Sequence, residues 1–545
     1  MRKFLLIALI ISIGVIGFAQ KRTMVPKEYR ISVKKTKAIK GGPENPSDYV
    51  PGTNYKNILA EESIGTTWYD VQSNRGMQTR VYMHSDGTKG AVWTRGPESS
   101  PSGANRGTGY NFYDGTIWGP DPSSSLEWSG AQAGWPSYTT WGENGEAYVC
   151  HDYYEGTILG TRVERGTGDW TQIIQSGPPG AEDISFPRIV TAGADRSIIH
   201  ILSTTWVAYN GQTTALLYAR TTNAGTTWEV ENQTFDYLGP DFSLEVGPDV
   251  YNWADPKDDL LAFLVGDNWM DLVLMKSYDG GDSWDETTIW ECPYPLNPIG
   301  NETDTFYCPD GAHHLAIDDE GLVHVVFGLT GAIDDGASQG YFPGFDGVVY
   351  WNENREPFSD DVNALNPYED APYTELVEDY SLIGWSQDVN GDDIVDIIWD
   401  GVNTYSYNTG LSSQPQIIVD DQNRIFVIYS SVTETYIYGN NEANYRHIWV
   451  RSSPNGGEWW GPFYDMNTDL TYLFSECAFP SASPTSDDNI YFIYQEDDIP
   501  GTATDATTIN EIRFNSVLKD DVISGVKERE DLISMDNVSQ NYPNP

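Results

Sequence analysis

Seven times along this chain of 545 residues, a run that alternates apolar and polar positions is followed by a short polar turn and then by a second apolar run. The second runs begin Ala91-Val92-Trp93, Glu146-Ala147-Tyr148, Ile198-Ile199-His200, Leu260-Leu261-Ala262, Leu322-Val323-His324, Ile425-Phe426-Val427 and Ile490-Tyr491-Phe492. Just before them stand Gly90, Gly145, Ser197, Asp259, Gly321, Asn423 and Asp488, the residue types that tight turns favour. A third run follows each pair, for example Leu272-Val273-Leu274-Met275 and His447-Ile448-Trp449-Val450. Short runs with period-two alternation are strands. Their recurrence at roughly even spacing, close to the 40 to 50 residues plus loops of a propeller blade, predicts an all-β fold built as a β-propeller. Four-stranded antiparallel blades are expected over residues 59–518, seven in number, with six or eight as alternatives. One long gap, between Gly321 and Asn423, predicts an acidic insertion at about residues 352–412. The unrepeated Thr66-Thr67-Trp68-Tyr69-Asp70 is read as the outer strand that closes the last blade.

Five of the third strands lead into a turn carrying a tryptophan: Trp118, Trp170, Trp228, Trp284 and Trp459. The fullest turn is Ser277-Tyr278-Asp279-Gly280-Gly281-Asp282-Ser283-Trp284. Thr221-Thr222-Asn223-Ala224-Gly225-Thr226-Thr227-Trp228 keeps its spacing, and residues 452–459 keep Ser452, Gly456 and Trp459. An Asx side chain can accept backbone N–H groups within such a turn while glycine takes a positive φ. The pattern resembles the Asp box of sialidase-like β-propellers, also known as the BNR repeat. That resemblance implies an architecture, with the box residues in structural roles on outer hairpins. His200 and His324 fall at one repeat position and are read as filling a packing slot between blades.

The ends carry addressing signals. Residues 1–19, with Arg2 and Lys3, an apolar run and a small-residue exit, read as a secretory signal peptide. Residues 20–58 read as a leader or linker, and 519–545 as a second linker that ends Asn541-Tyr542-Pro543-Asn544-Pro545. This ending resembles the start of the C-terminal sorting domain on cargo of the bacterial type IX secretion system. It implies that machinery as a partner and a secreted or outer-membrane surface location. Beyond the signal, no stretch reaches the ~20 apolar residues of a membrane helix. A formal charge of −49 excludes nucleic acid as a natural partner and disfavours anionic glycans. Of the four cysteines, Cys292 and Cys308 are the disulfide candidate, closing a Pro-rich loop. The pairing of Cys150 with Cys477 is left open.

Two sets of residues could carry chemistry. Asp388, Asn390, Asp392 and Asp396, with the Ile394 carbonyl, place oxygens at positions one, three, five, nine and seven of a loop, a spacing suited to a structural Ca²⁺. Position twelve is Trp399 where a full EF-hand has Glu, and the loop is more similar to those of dockerin-type repeats. The second set is polar residues on the innermost strands, facing the central funnel where propeller ligands commonly bind: Arg188, Asp249, His314 and Gln416, with Ser137 and Ser481. No catalytic set of three arginines, a general acid and a Tyr-Glu pair can be assigned. The expected function is therefore a binding or scaffold module for a glycan or a surface protein. An exo-acting glycoside hydrolase of sialidase type is the alternative, and a structural surface-layer component a third possibility.

Overall fold

The computed structural model describes residues 22–34, 61–98, 105–368, 373–398, 407–439, 442–469, 472–502 and 508–523. Residues 1–19, read as a signal peptide, and the Asn541-Tyr542-Pro543-Asn544-Pro545 ending lie outside the described residues. Seven antiparallel sheets form the blades of one β-propeller. Blade I contains Val81–Met83, Lys89–Arg95 and Gly107–Tyr113, and its fourth strand is reduced to a single bridge between Tyr113 and Trp118. Blade II runs from Ala133–Trp141 to Thr171–Gln175, blade III from Ile184–Ala192 to Val230–Gln233, and blade IV from Tyr251–Trp253 to Asp285–Trp290. Blade V begins with Phe306–Ile317 and ends with Leu382–Gly384; blade VI runs from Ser412–Val419 to Tyr464–Asp465.

Blade VII takes Glu476–Ala482, Asn489–Asp497 and Asn510–Leu518 from one end of the ring and Glu62–Thr67 from the other. The early strand thus closes the ring as expected, displaced toward the N-terminus of the stretch read from the sequence. Thr66 and Thr67 pair with Glu511 and Asn510, whereas Trp68 to Asp70 lie beyond the strand. Within the gap between blades V and VI, Leu382–Gly384 supplies the outer strand of blade V. Part of the expected leader is also structured: Val33–Lys34 adds to Gln339–Tyr341 beside blade V, and Val25 packs with Val395, Ile397, Leu411 and Val432.

The alternation that identified the strands is used between blades, where large apolar side chains from adjacent sheets interdigitate. One cluster, for example, joins Leu264 and Leu274 of blade IV to Val325, Phe327 and Trp351 of blade V. Large residues on second strands face small ones on third strands. A Cβ at Gly109 would lie 2.4 Å from the Trp93 ring, and one at Gly160 would lie 2.1 Å from Tyr148. In blades III and V the slot instead holds a histidine and a tyrosine, His200 Nδ1 to Tyr218 Oη at 2.8 Å and His324 Nδ1 to Tyr350 Oη at 2.7 Å.

The Ser277–Trp284 turn docks its blade onto the one before it. Asp279 Oδ1 accepts from the Ser283 N–H at 2.9 Å, Ser277 Oγ accepts from the Gly281 N–H at 2.8 Å, and Trp284 packs on Tyr218 and Phe235. The third copy is shifted by one residue from the sequence reading. Ser453 and Asn455 make the equivalent bonds, to Gly457 N and Trp459 N, and the buried ring is Trp460, with Trp459 53% exposed. Trp459 and Trp460 are adjacent, and only hydrogen bonding identifies which of them turns inward.

The innermost strand of each blade is a sheet edge, yet it lies buried, so its free N–H and C=O groups need partners. Side chains from neighbouring blades supply them. Ser137 Oγ accepts from Ile189 N at 3.2 Å, Gln416 Oε1 from Ala482 N at 3.1 Å, Ser481 Oγ from Arg80 N at 2.9 Å and His314 Nδ1 from Ile417 N at 3.4 Å. A bulge turns each polar residue sideways. Trp135, Phe186, Gln414 and Phe479 all take positive φ immediately before a proline, and the strand register slips at that point. Bulges of this kind re-aim a side chain, here from the channel to the adjacent blade.

Candidate functional site

The residues read as funnel candidates are gathered near the axis, but they are covered. Residues 70–80, the connection from the closing strand into blade I, cross the mouth of the channel at the face where the first strands begin. Asn74 donates to Asp249 Oδ2 from both its backbone and its side-chain nitrogen at 2.9 Å, and Gly76 N donates to the Asp249 carbonyl at 3.1 Å. Arg75 Nη1 reaches the Asn408 carbonyl at 2.6 Å, and Ser481 Oγ donates to the Gln78 carbonyl at 2.7 Å. Gly76 is needed for the close approach, since a Cβ there would fall 2.8 Å from Asn252 Nδ2.

Arg188 and Asp249 are brought together beneath this segment, with Arg188 Nη2 2.7 Å from Asp249 Oδ1 and 3.1 Å from the Gly76 carbonyl. Asp249 holds φ at +62°, a left-handed conformation that Asp tolerates better than most residues. Both side chains are fully buried, as is Gln416. In this structure Arg188 and Asp249 anchor the covering segment, and Gln416 joins blades VI and VII.

The open concavity lies at the opposite face, where the first and second strands of each blade turn. A cavity of about 540 Å³ is bordered there by the hairpins of blades III to VII. His314 is the one funnel candidate that lines it. Burial, reinforced by the charge of His313, draws its imidazole down to about 3, so His314 is neutral at physiological pH. The lining contains six aspartates (Asp255, Asp319, Asp420, Asp421, Asp487, Asp488) and four cations (Arg196, Lys257, Arg424, Lys519), a local excess of negative charge.

Much of this charge is locked in place. Arg196 grips Asp255 with two bonds of 2.9 and 2.7 Å, a bidentate pairing that fixes the guanidinium plane. Arg424 Nε donates to Asp420 Oδ2 at 2.8 Å, and Lys519 Nζ approaches the same oxygen at 3.2 Å. Burial raises the Asp420 carboxyl, but the bonds from Arg424 and the charge of Lys519 outweigh it and hold the group below its ordinary value. Asp487 is likewise depressed, its burial outweighed by bonds from Asn489 and Tyr491. Carboxyls raised above their ordinary range lie elsewhere. Burial takes Glu61 to about 7 despite the bond from Tyr494, and burial also raises Asp310, Asp346 and Glu476, each bonded to its surroundings.

Apart from His314, sequence reading missed the cavity residues, although a signal was present. Asp258-Asp259, Asp318-Asp319, Asp420-Asp421 and Asp487-Asp488 repeat an Asp pair at the same hairpin of four consecutive blades.

In the expected calcium loop, Asp388 accepts N–H bonds from Gly391, Asp392 and Asp393 at 2.7, 3.2 and 2.9 Å. The buried Glu434 accepts from Asn390 and Asp396 at 2.8 and 2.9 Å. Among the described residues no three acidic, His or Cys side chains converge as metal ligands. Asp388 and Asp392 turn oxygens to the loop backbone, Asp392 Oδ1 accepting from Ile394 N at 3.0 Å. The Cys292–Cys308 disulfide is not formed. Both thiols sit in one apolar cluster, but Cys308 lies opposite Thr330 in the blade V ladder and its thiol points to the Thr330 carbonyl at 3.8 Å. Cys150 and Cys477 belong to blades II and VII, the former donating to Glu127 Oε1 at 3.3 Å.

No family model and no curated protein matches the chain. Among solved structures, a polysaccharide lyase, an ulvan lyase bound to a GlcA(1-4)Rha3S saccharide, is similar at 12% identity and a TM-score of 0.42, over 83% of this chain and 96% of that one. A lectin from Burkholderia pseudomallei matches at 10% identity and 0.42, over 78% and 94% of the two chains. A sialidase from Trypanosoma rangeli matches at 11% and 0.32, over 70% and 54%. These proteins act on or bind glycans by different chemistries, and at such scores the likeness assigns none of them to this chain. Among the described residues no helix is long and apolar enough to cross a membrane.

Proposed function

We propose that this chain is an exported binding propeller that takes a neutral or amino-bearing glycan, free or on a surface protein, in the cavity at its hairpin face. The observation that carries this reading is the contrast between the two ends of the channel. One is closed by residues 70–80, and the other opens into a cavity walled by preorganised Asp–Arg and Asp–Lys pairs. Fixed carboxylates and guanidinium groups suit hydroxyl-rich ligands, because each presents hydrogen-bonding atoms in set directions. The excess of carboxylates opposes a sialic acid or sulfated sugar. Glycoside hydrolysis needs a carboxyl kept protonated near neutral pH to act as general acid. The two shifted carboxyls of the cavity, Asp420 and Asp487, are both held ionised, which supports binding over hydrolysis.

Export is proposed from residues 1–19, and sorting by type IX secretion from the ending at 541–545. The test of function is a glycan microarray probed with the labelled protein, followed by calorimetry on each hit with Asp488→Ala and Gln422→Ala. Loss of affinity in both variants, without release of free sugar, supports the reading. Turnover of a hit or of a fluorogenic glycoside would replace it with the hydrolase, and hits indifferent to both substitutions would move the site elsewhere.

A further inference from the structure

Beneath the covering segment, the channel holds a group of polar side chains that the binding function does not use. Arg80 and Arg188 are both fully buried, and Gln78 is wholly inaccessible to solvent. Arg188 is paired with Asp249. The hydrogen-bond partners of the Arg80 guanidinium are neutral: the side chain and carbonyl of Gln72, and Gln78 Oε1 at 3.3 Å. That last bond places the Gln78 amide beside the Arg80 guanidinium. Arg188 Nη2 donates to the Gly76 carbonyl, two residues before Gln78 on the same segment, and His313 Nε2 bonds to the Val250 carbonyl, which follows Asp249 in the chain.

Three donors in this group have no acceptor: Arg80 Nε, Arg188 Nη1 and Gln78 Nε2. An orphaned buried donor costs its full desolvation, about 1–3 kcal/mol and more when charged. Burial, then the charge of Arg188, draws the Arg80 guanidinium down to about 9, with the charge of Asp249 opposing them in part. A water accepts about two hydrogen bonds and must place its own hydrogens on acceptors. The oxygens bonded to these guanidinium groups, Gln72 Oε1, the Gln72 and Gly76 carbonyls and Asp249 Oδ1, each already receive a bond from Arg80 or Arg188. A water would have to share those oxygens, whereas an anion accepts from several donors and needs no acceptor of its own.

From these observations we propose that the closed channel is a binding site for a small monovalent inorganic anion of halide size, held by Arg80 Nε, Gln78 Nε2 and Arg188 Nη1. The anion joins the covering segment, which supplies Gln78 and Arg80, to blade III, which supplies Arg188. It therefore fastens the segment that closes this end of the propeller.

The experiment compares thermal unfolding of the mature protein in chloride, in bromide and in gluconate at equal ionic strength. Chloride and bromide are expected to give a saturable rise in Tm of about 2 °C over gluconate. Gln78→Glu supplies a fixed carboxylate beside Arg80 and is expected to make Tm independent of the salt. Crystals soaked in bromide should show an anomalous peak within hydrogen-bonding distance of Arg80 Nε and Gln78 Nε2, a readout that needs no substitution. Equal Tm values in the three salts, or a channel holding water alone in the bromide crystals, would overturn the proposal.

Discussion

Replacing Arg188 separates a structural reading of the channel from a ligand-binding one. In Arg188→Met the apolar stem keeps much of its packing, while three acceptors lose their donor: Asp249 Oδ1, the Gly76 carbonyl and the Tyr251 carbonyl. Stranding one member of a buried ion pair costs about 3–5 kcal/mol. Asp249 Oδ2 still receives two bonds from Asn74, which argues for the lower end, about 3 kcal/mol. Restoring neutrality with Asp249→Asn, which retains an acceptor for Asn74 and tolerates the positive φ, should recover about 1–2 kcal/mol as a coupling between the two sites. Urea unfolding followed by tryptophan fluorescence measures all four corners of the cycle, and calorimetry measures the affinity of each for a microarray hit. The account expects a large stability loss, a non-additive double variant and unchanged affinity. A stable Arg188→Met protein that has lost its ligand would refute it.

The tandem tryptophans of the third turn should differ sharply: Trp460→Ala is expected to cost about 3 kcal/mol or more and Trp459→Ala under 0.5 kcal/mol in urea unfolding. Burial raises Glu61 and Asp497 in the folded state to about 7. Such groups add stability that is complete below their unfolded values near 4 and is lost as pH rises through 7. Buried neutral histidines such as His314 act in the opposite sense below about 6.5, so the check is a difference: from pH 5 to 8 the Tm of Glu61→Gln should gain on that of the parent, and parallel curves would count against a protonated Glu61. For the loop at residues 388–396 we propose Ca²⁺ as a structural ligand, on the strength of its oxygen spacing. Chelation should then lower Tm in the parent chain and leave Asp388→Ala unaffected, while no change in the parent would mark the loop as a turn closed by Asp388 and Glu434.

Blade number and phase were legible because a strand and its turn report on local backbone preference, which repeats with the blade. Every second strand read from the sequence, from Ala91-Val92-Trp93 to Ile490-Tyr491-Phe492, is the second strand of a blade. The polar residues of the inner strands were also found, but their direction was not. Ser137, Arg188 and Gln416 face sideways because Trp135, Phe186 and Gln414 adopt left-handed bulges, a property of the assembled ring. That residues 70–80 cover the channel depends on contacts with Asp249 and Asn408, far away in sequence. The cavity had a visible mark in the repeated Asp pairs, but a single pair reads as an ordinary turn, and convergence appears only when the hairpins share an axis.

Hydrogen–deuterium exchange of the protein with and without a bound glycan tests most directly where the ligand sits. The account predicts slowed exchange at the hairpins around residues 318–322, 420–424 and 483–488, with residues 70–80 unchanged. Slowed exchange at residues 70–80 with unaltered hairpins would contradict it and return the site to the mouth that Arg188 and Asp249 close.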